Sequence, residues 1–226
     1  MIIAIDGSAA SGKGTLAKRV AAEFGYDYLD TGALYRAVAL SLLKAGVNSN
    51  NIDEKQAVNS ASELDLSLTQ TAEIRTDNVA ALASIVAAIS PVRAELLALQ
   101  RAFAAAPPSG KGAVLDGRDI GTVVLPEADA KFYVDAAADI RAKRRHLELC
   151  ASGEEVSFSE VLSDLIKRDC RDKNRTVAPL IAAQDAFFID SSHMNAQEVL
   201  TLALDHLADG IPPKGNGADK PATMAL

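Results

Sequence analysis

Six residues from its start the chain turns on a glycine: the run Ile2-Ile3-Ala4-Ile5-Asp6 leads straight into GSAASGKGT, residues 7–15. An apolar run without polar alternation suits a strand buried on both faces of a parallel sheet. Glycine, four variable residues, glycine and lysine then give a phosphate-loop spacing, filled by Gly7, Gly12 and Lys13. Behind it, Leu16, Val20 and Phe24 recur at helical spacing on one face. Strand, tight loop and helix in that order open a β/α unit, so an α/β fold is expected, a core of five parallel strands flanked by helices.

The loop's composition follows from what it has to hold. Ser8, Ala9, Ala10 and Ser11 keep bulk away, so successive backbone N–H groups can converge on phosphate oxygens. The helix opening near Lys13 adds the positive end of its dipole. Lys13 brings a full charge to the place where a transferred phosphoryl group gathers negative charge. A plain Gly/Ser/Ala turn would need neither the buried strand before it nor the amphipathic helix behind it. Gly14 stands between Lys13 and Thr15, whereas most phosphate loops put Ser or Thr directly after the lysine to reach Mg²⁺. That GKGT ending resembles the nucleoside monophosphate kinases more than the switch GTPases or motor ATPases.

The core must be built with little aromatic mass: hydrophobic residues are 49% of 226, aromatics 4%, and tryptophan is absent. Ala, Leu, Val and Ile therefore carry it, in one compact domain. No stretch reaches the roughly 18 apolar residues of a membrane span, and the N-terminus has no basic leader. A cytoplasmic protein with no membrane partner is expected. The net charge of −7 argues against general nucleic-acid binding. Arginines nevertheless cluster, with Arg141, Lys143, Arg144 and Arg145 in one group and Arg168, Arg171, Lys173 and Arg175 in another. Each is either a focused anion site or a solvated helix face. Cys150 and Cys170 are too few for a disulfide scaffold and, with His146, fall short of a zinc set. Both are expected to be buried or half-buried small side chains.

Further strands are expected at 26–30 (YDYLD), 113–116 (AVLD), 130–135 (AKFYVD) and 187–190 (FFID). Thr31 is read as the cap of a helix from about 32 to 45, closed by Gly46. Residues 48–75 are weakly patterned, with a helical stretch near 53–63 and the short alternating piece LDLSL. Helices follow at about 77–89 and 91–104, the second with Ser90 as cap and Pro91 inside its start. A basic helix is expected at about 138–151. Ser157 and Glu160 form a capping box for a helix at 158–168, with the charged 169–178 as a mobile loop. Asn195 and Glu198 start the last helix. The Pro- and Gly-rich tail, 209–226, is expected to be disordered.

Three charged constellations fall just past strand ends or in loops, where open α/β sheets bind ligands. Asp30-Thr31-Gly32-Ala33-Leu34-Tyr35-Arg36 places Arg36 toward the crevice shared with the phosphate loop. Asp116-Gly117-Arg118-Asp119 follows the AVLD strand, where a carboxylate commonly holds Mg²⁺ directly or through water. The segment RDCRDKNR, 168–175, alternates sign, so its arginines stay solvated when open and converge on phosphates when closed. An arginine-bearing lid answers a chemical need, because transfer from ATP competes with hydrolysis.

Together these residues resemble the bacterial-type cytidylate kinases. The resemblance runs from residue 2 to about 208 and rests on IDGSAASGKGT, LDTGALYRA, EIRT, SPVR, DGRDIGTVVLP and RDCRDKNRTVAPL in that order. It implies ATP-dependent phosphorylation of CMP and dCMP by a P-loop kinase, with Mg²⁺ held through phosphates and water and by Thr15 and Asp116. It implies that Arg36, Arg118 and Arg175, with Thr31 nearby, grip the acceptor phosphate. Ser84, Arg93 and Asp119 would read the cytosine, Arg168 and Asp172 the pentose, and Arg144 would lie near the ATP base. Lys13, Arg118, Arg168 and Arg175 are the catalytic candidates. The implied layout is a core (1–47, 111–150, 179–208), an acceptor-binding insert at about 48–110 and a lid at about 151–178. Small nucleotides are the only partners expected, and the protein is read as a monomer. Ser8 stands where the family often has proline, and 64–75 is shorter than in long-insert members. The alternatives are another small-acceptor P-loop kinase, such as a UMP/CMP enzyme, and a non-catalytic nucleotide-binding regulator.

Overall fold

A computed structural model describes residues 1–151 and 153–210, so nearly all of the tail expected to be disordered lies outside the described residues. Five strands form one parallel sheet: β1 (Ile2–Gly7), β2 (Asp27–Asp30), β3 (Ala113–Gly117), β4 (Ala130–Asp135) and β5 (Phe187–Asp190), in the order β2-β3-β1-β4-β5. Apolar runs bounded by aspartates made these strands legible. β1 sits at the centre with Ile3, Ala4 and Ile5 fully buried. Alternation sends Ile3 and Ile5 to one face, against Leu16 and Val20 of α1 (Lys13–Phe24) and Leu200 of α8 (Ala196–Ala208). Ala4 goes to the other face, with Leu115, Ile120 and Val124.

On that second side α2 (Thr31–Lys44) joins α3 (Glu54–Ser62), α4 (Asp77–Val86) and α5 (Ser90–Ala105) in a second apolar cluster, centred on Leu34, Val38, Leu82, Val86 and Leu96. The insert therefore shares its core with α2. Between α3 and α4 the chain makes two 3₁₀ turns, Leu66–Gln70 and Ala72–Arg75, in place of the alternating piece read at LDLSL. The Asp65 side chain accepts from Ser67 N at 2.9 Å and draws the backbone into the tight turn. A further, small cluster of Ala9, Ala142, Leu149, Val161 and Leu165 packs α6 (Ala138–Ala151) and α7 (Phe158–Asn174) onto the phosphate loop.

Several local expectations change. The charged stretch 169–178 is helix as far as Asn174, because the Ser157/Glu160 capping box launches α7 and Leu165, Asp169 and Asp172 continue its inward face. Thr31 begins α2 and does not cap it; the Asp30 carboxylate accepts from Ala33 N at 3.0 Å. Ser90 is likewise inside α5, with Ile89 at the cap position and no side-chain cap bond. Cys150 and Cys170 are both exposed.

Asp6 ties the centre of the sheet to the turn beyond β3. Its carboxylate, 3% exposed, accepts from Ile120 N at 2.8 Å and Gly121 N at 2.7 Å. Burial pushes the carboxyl up to about 7 from an ordinary 3.8, against those two donated bonds. The unfolded chain has ionised this group above its ordinary value while the folded chain still holds the proton. Its contribution to stability is therefore full below about pH 4 and is lost as pH rises through about 7. Urea unfolding should show stability falling from pH 5 with a slope approaching one proton and levelling off above about pH 7, relative to Asp6→Asn. Parallel profiles for the two proteins would exclude this titration.

Candidate active site

The phosphate loop is shaped by two glycines with different reasons. A Cβ on Gly7, at φ +152°, would lie 1.9 Å from the Val134 carbonyl oxygen, so β1 can pair with β4 there only without a side chain. Gly12, at φ +90°, has open space around it and is needed for its left-handed backbone, which caps α1. Ala10 also takes a positive φ of 59°, a conformation that costs an alanine about 1 kcal/mol. Outside contacts hold the loop in it. The Ala9 carbonyl accepts from Arg141 at 3.2 Å and the Ser11 carbonyl from Ser191 Oγ at 2.8 Å.

Lys13 lies at the floor, its Nζ 4.0 Å from Asp116 Oδ2. Burial first, then Arg118, lowers the ammonium to about 7. Burial pushes the Asp116 carboxyl the other way, upward. The Tyr28 hydroxyl donates to Asp116 Oδ1 at 2.7 Å. Burial, with Asp116 and Asp30 beside it, drives this phenol far above its ordinary value and keeps it a donor. The Thr31 hydroxyl donates to the Asp116 backbone oxygen at 2.8 Å, so β2, β3 and α2 all meet at this residue.

Beyond Asp116 the site is a field of cations. Arg36 pairs with Asp30 at 2.9 Å, and its Nε is buried without a hydrogen-bond partner. Arg118 Nε pairs with Asp172 at 2.9 Å. Burial would raise Asp172, but Arg118 and Arg168 outweigh it and hold the carboxyl below its ordinary value. Arg168 has a buried, unpartnered Nε; burial and then Arg118 lower its guanidinium to about 10. Arg175 reaches Asp119 Oδ1 at 3.4 Å. Buried guanidiniums this close disfavour one another unless an anion sits among them.

The last group lies between α4 and α5. Arg93 and Asp119 form a buried ion pair, Arg93 also donating to the Ala87 carbonyl at 3.2 Å and lying over the Tyr35 ring. The Ser84 hydroxyl, lining the same cleft, is buried with no hydrogen-bond partner.

One cleft of about 1560 Å³ joins these groups. A single-ligand pocket holds roughly 300–1,000 Å³, so two ligands fit. Residues Ala9 to Thr15 line it, as do Thr31, Arg36, Ser84, Arg93, Asp116, Arg118, Asp119, Arg144, Arg168, Asp172 and Arg175. Gly7 and Ser8 do not line it; they lie behind the loop and set its shape. Arg144 bonds Ser191 Oγ at 3.0 Å and the Ser191 carbonyl at 2.6 Å, and Ser191 in turn holds the loop. Sequence reading passed over Tyr28, Asp6 and Asp169. Tyr28 alternates with Leu29 along β2, which signals opposite faces but not a partner. His146 meets the Val156 carbonyl, and no metal-ligand cluster is found among the described residues.

A parallel sheet in this order, a phosphate loop after its central strand and arginines gathered across the same cleft define a P-loop kinase. The model of the cytidylate kinases matches residues 3–209. The chain belongs to the cytidylate kinase family. It is 53% identical over 205 residues to the cytidylate kinase of Rhodopseudomonas palustris strain BisB18, covering 91% of this chain and 94% of that one. The cytidylate kinase of Rhodospirillum rubrum is 52% identical over 209 residues, 92% of this chain and 97% of its own. Among solved structures, a gluconokinase from Sinorhizobium meliloti 1021 aligns over 92% of each chain at 15% identity, with a TM-score of 0.48.

Proposed function

We propose that the protein transfers the terminal phosphoryl group of ATP to the 5′-phosphate of CMP or dCMP, giving ADP and CDP or dCDP. The observation that carries the acceptor is the buried Arg93–Asp119 pair lining one cleft with the unpartnered Ser84 hydroxyl. Cytosine presents an amino donor at C4 next to ring acceptors at N3 and O2. Arg93 donates to the acceptors, while Asp119 and Ser84 accept from the amino group. Uracil reverses the polarity of two of these positions and so meets repulsion.

The phosphate end follows from charge. Residues 9–15 cradle the ATP phosphates on a loop shaped from behind by Gly7 and Ser8, with Arg144 toward the base. Arg36, Arg118 and Arg175 take the acceptor phosphate, and Thr31 supports them through Asp116. Asp172 and Arg168 reach the pentose without needing a 2′-hydroxyl, so both sugars are accepted. Transfer is in line and direct. Lys13 and the arginines neutralise the charge that builds on the moving group, and no general base is required. Magnesium suits the donor set, a threonine in the first turn of α1 and a buried carboxylate facing Lys13. Thr15 and Asp116 would hold it, in part through water, and when bound it neutralises donor phosphates. The lid at about 151–178, which carries α7, excludes water once both nucleotides are in place. A monomer acting in the cytoplasm, where both nucleotides are found, meets every requirement of this site.

A coupled assay with CMP, dCMP, UMP and AMP as acceptors tests the assignment. CMP and dCMP should give the highest kcat/KM, and UMP or AMP outperforming them would overturn it.

A further inference from the structure

Arg141 is only 4% exposed and stands outside the cleft, yet its guanidinium bonds three separate parts of the machinery. Nε donates to the Ala136 carbonyl at 2.7 Å, just past the end of β4. Nη1 donates to the Ala9 carbonyl in the phosphate loop at 3.2 Å, and Nη2 to Asp169 Oδ2 on α7 at 2.6 Å. Asp135 Oδ1 lies 3.7 Å from Nε. Three residues along α7 from Asp169, Asp172 holds Arg118 at 2.9 Å. The contacts thus run unbroken from the donor loop, through Arg141 and the inward face of α7, to an arginine of the acceptor end.

The loop needs such a grip. Ala10, next to the gripped Ala9, is held at φ +59°, which an alanine leaves when nothing restrains it. The planar fork of arginine suits the task, since it bonds a carbonyl and a carboxylate at once in set directions; a lysine ammonium offers charge without that geometry. The other outside grip, Ser191 on the Ser11 carbonyl, is braced by Arg144 from the same helix, α6. Both ends of the loop are therefore referenced to α6, and Arg141 carries the reference on to α7 through its ion pair with Asp169.

We infer that Arg141 is a positioning residue that couples donor binding to the placement of the acceptor-side arginines. When ATP draws the loop into its working shape, the Ala9 carbonyl, Arg141 and Asp169 set α7. Arg118 then stands where the acceptor phosphate arrives, and Arg168 where the pentose does. This role rests on the assigned kinase reaction, and its test separates the two.

The test measures CMP affinity with and without a non-hydrolysable ATP analogue, in the unaltered protein, in Arg141→Lys, in Asp169→Asn and in the double variant. The unaltered protein should bind CMP more tightly when the analogue is present. Both single variants should lose that enhancement, by roughly tenfold, while CMP affinity without the analogue is kept. The double variant should be no worse than either single one, because both break the same link. Should Arg141→Lys fold poorly in thermal melts, the isosteric Asp169→Asn decides alone. Enhancement retained in the folded variants, or additive losses in the double, would overturn the inference. These binding readouts need no turnover, so a failure of the unaltered protein to phosphorylate CMP counts against the reaction and not against the link.

Discussion

Replacing Lys13 with alanine lowers kcat by roughly a thousandfold, the scale on which a single preorganised cation or donor stabilises a phosphoryl or oxyanion transition state. CMP affinity should change by no more than about threefold, since the acceptor phosphate is gripped by arginines on other elements. The structure also says why this variant should fold. The Lys13 side chain is 13% exposed, and its burial, with Arg118 nearby, lowers its ammonium to about 7. Removing it relieves a desolvation cost. Asp116, pushed upward by its own burial, keeps the Tyr28 hydroxyl at 2.7 Å and can take a proton. The thermal midpoint without nucleotide should therefore hold. Steady-state kinetics, CMP titration and a thermal melt on the same preparation check all three statements. Equal losses in kcat and in CMP affinity would make Lys13 a binding residue common to both ends of the cleft.

How far the sequence reached depended on whether a feature was local. The ends of β4 and β5 are legible to the residue, because AKFYVD and FFID are apolar runs that stop at aspartates and are followed by loops. Both capping boxes, at Ser157 and Asn195, are legible for the same reason. The region 168–175 shows where such reading ends. Its charges alternate like a solvated loop, yet Asp169 and Asp172 are buried on the inner face of α7 because Arg141 and Arg118 wait there. Helical periodicity written in charges looks polar until the opposite charges are placed. Thr31 and Ser90 are good caps in isolation, but Asp30 takes the first position and nothing needs the second. The donor loop reads directly from its spacing. The acceptor end does not, since Ser84, Arg93 and Asp119 come from three elements and no spacing joins them; only the family resemblance does.

Asp119 is where that acceptor reading can fail most informatively. Asp119→Asn keeps the volume and removes the charge from a residue that is 5% exposed and paired with both Arg93 and Arg175. The amide has one acceptor where the carboxylate had two, and it carries donors that face the amino group of cytosine. Sites that hydrogen-bond a defining polar group lose steeply when the match is broken, so kcat/KM for CMP should fall by roughly a hundredfold. Uracil offers an acceptor at C4 in place of the amino group, which the new amide can serve. UMP should consequently lose far less, narrowing the CMP-to-UMP ratio by roughly tenfold or more. ATP-analogue affinity measured alone should stay unchanged, because Asp119 pairs with Arg93 and Arg175 and not with the loop. If CMP and UMP fall together, Asp119 acts only as the counter-ion that keeps Arg93 and Arg175 from repelling each other. In that case the base would be read by Ser84 and Arg93 without it.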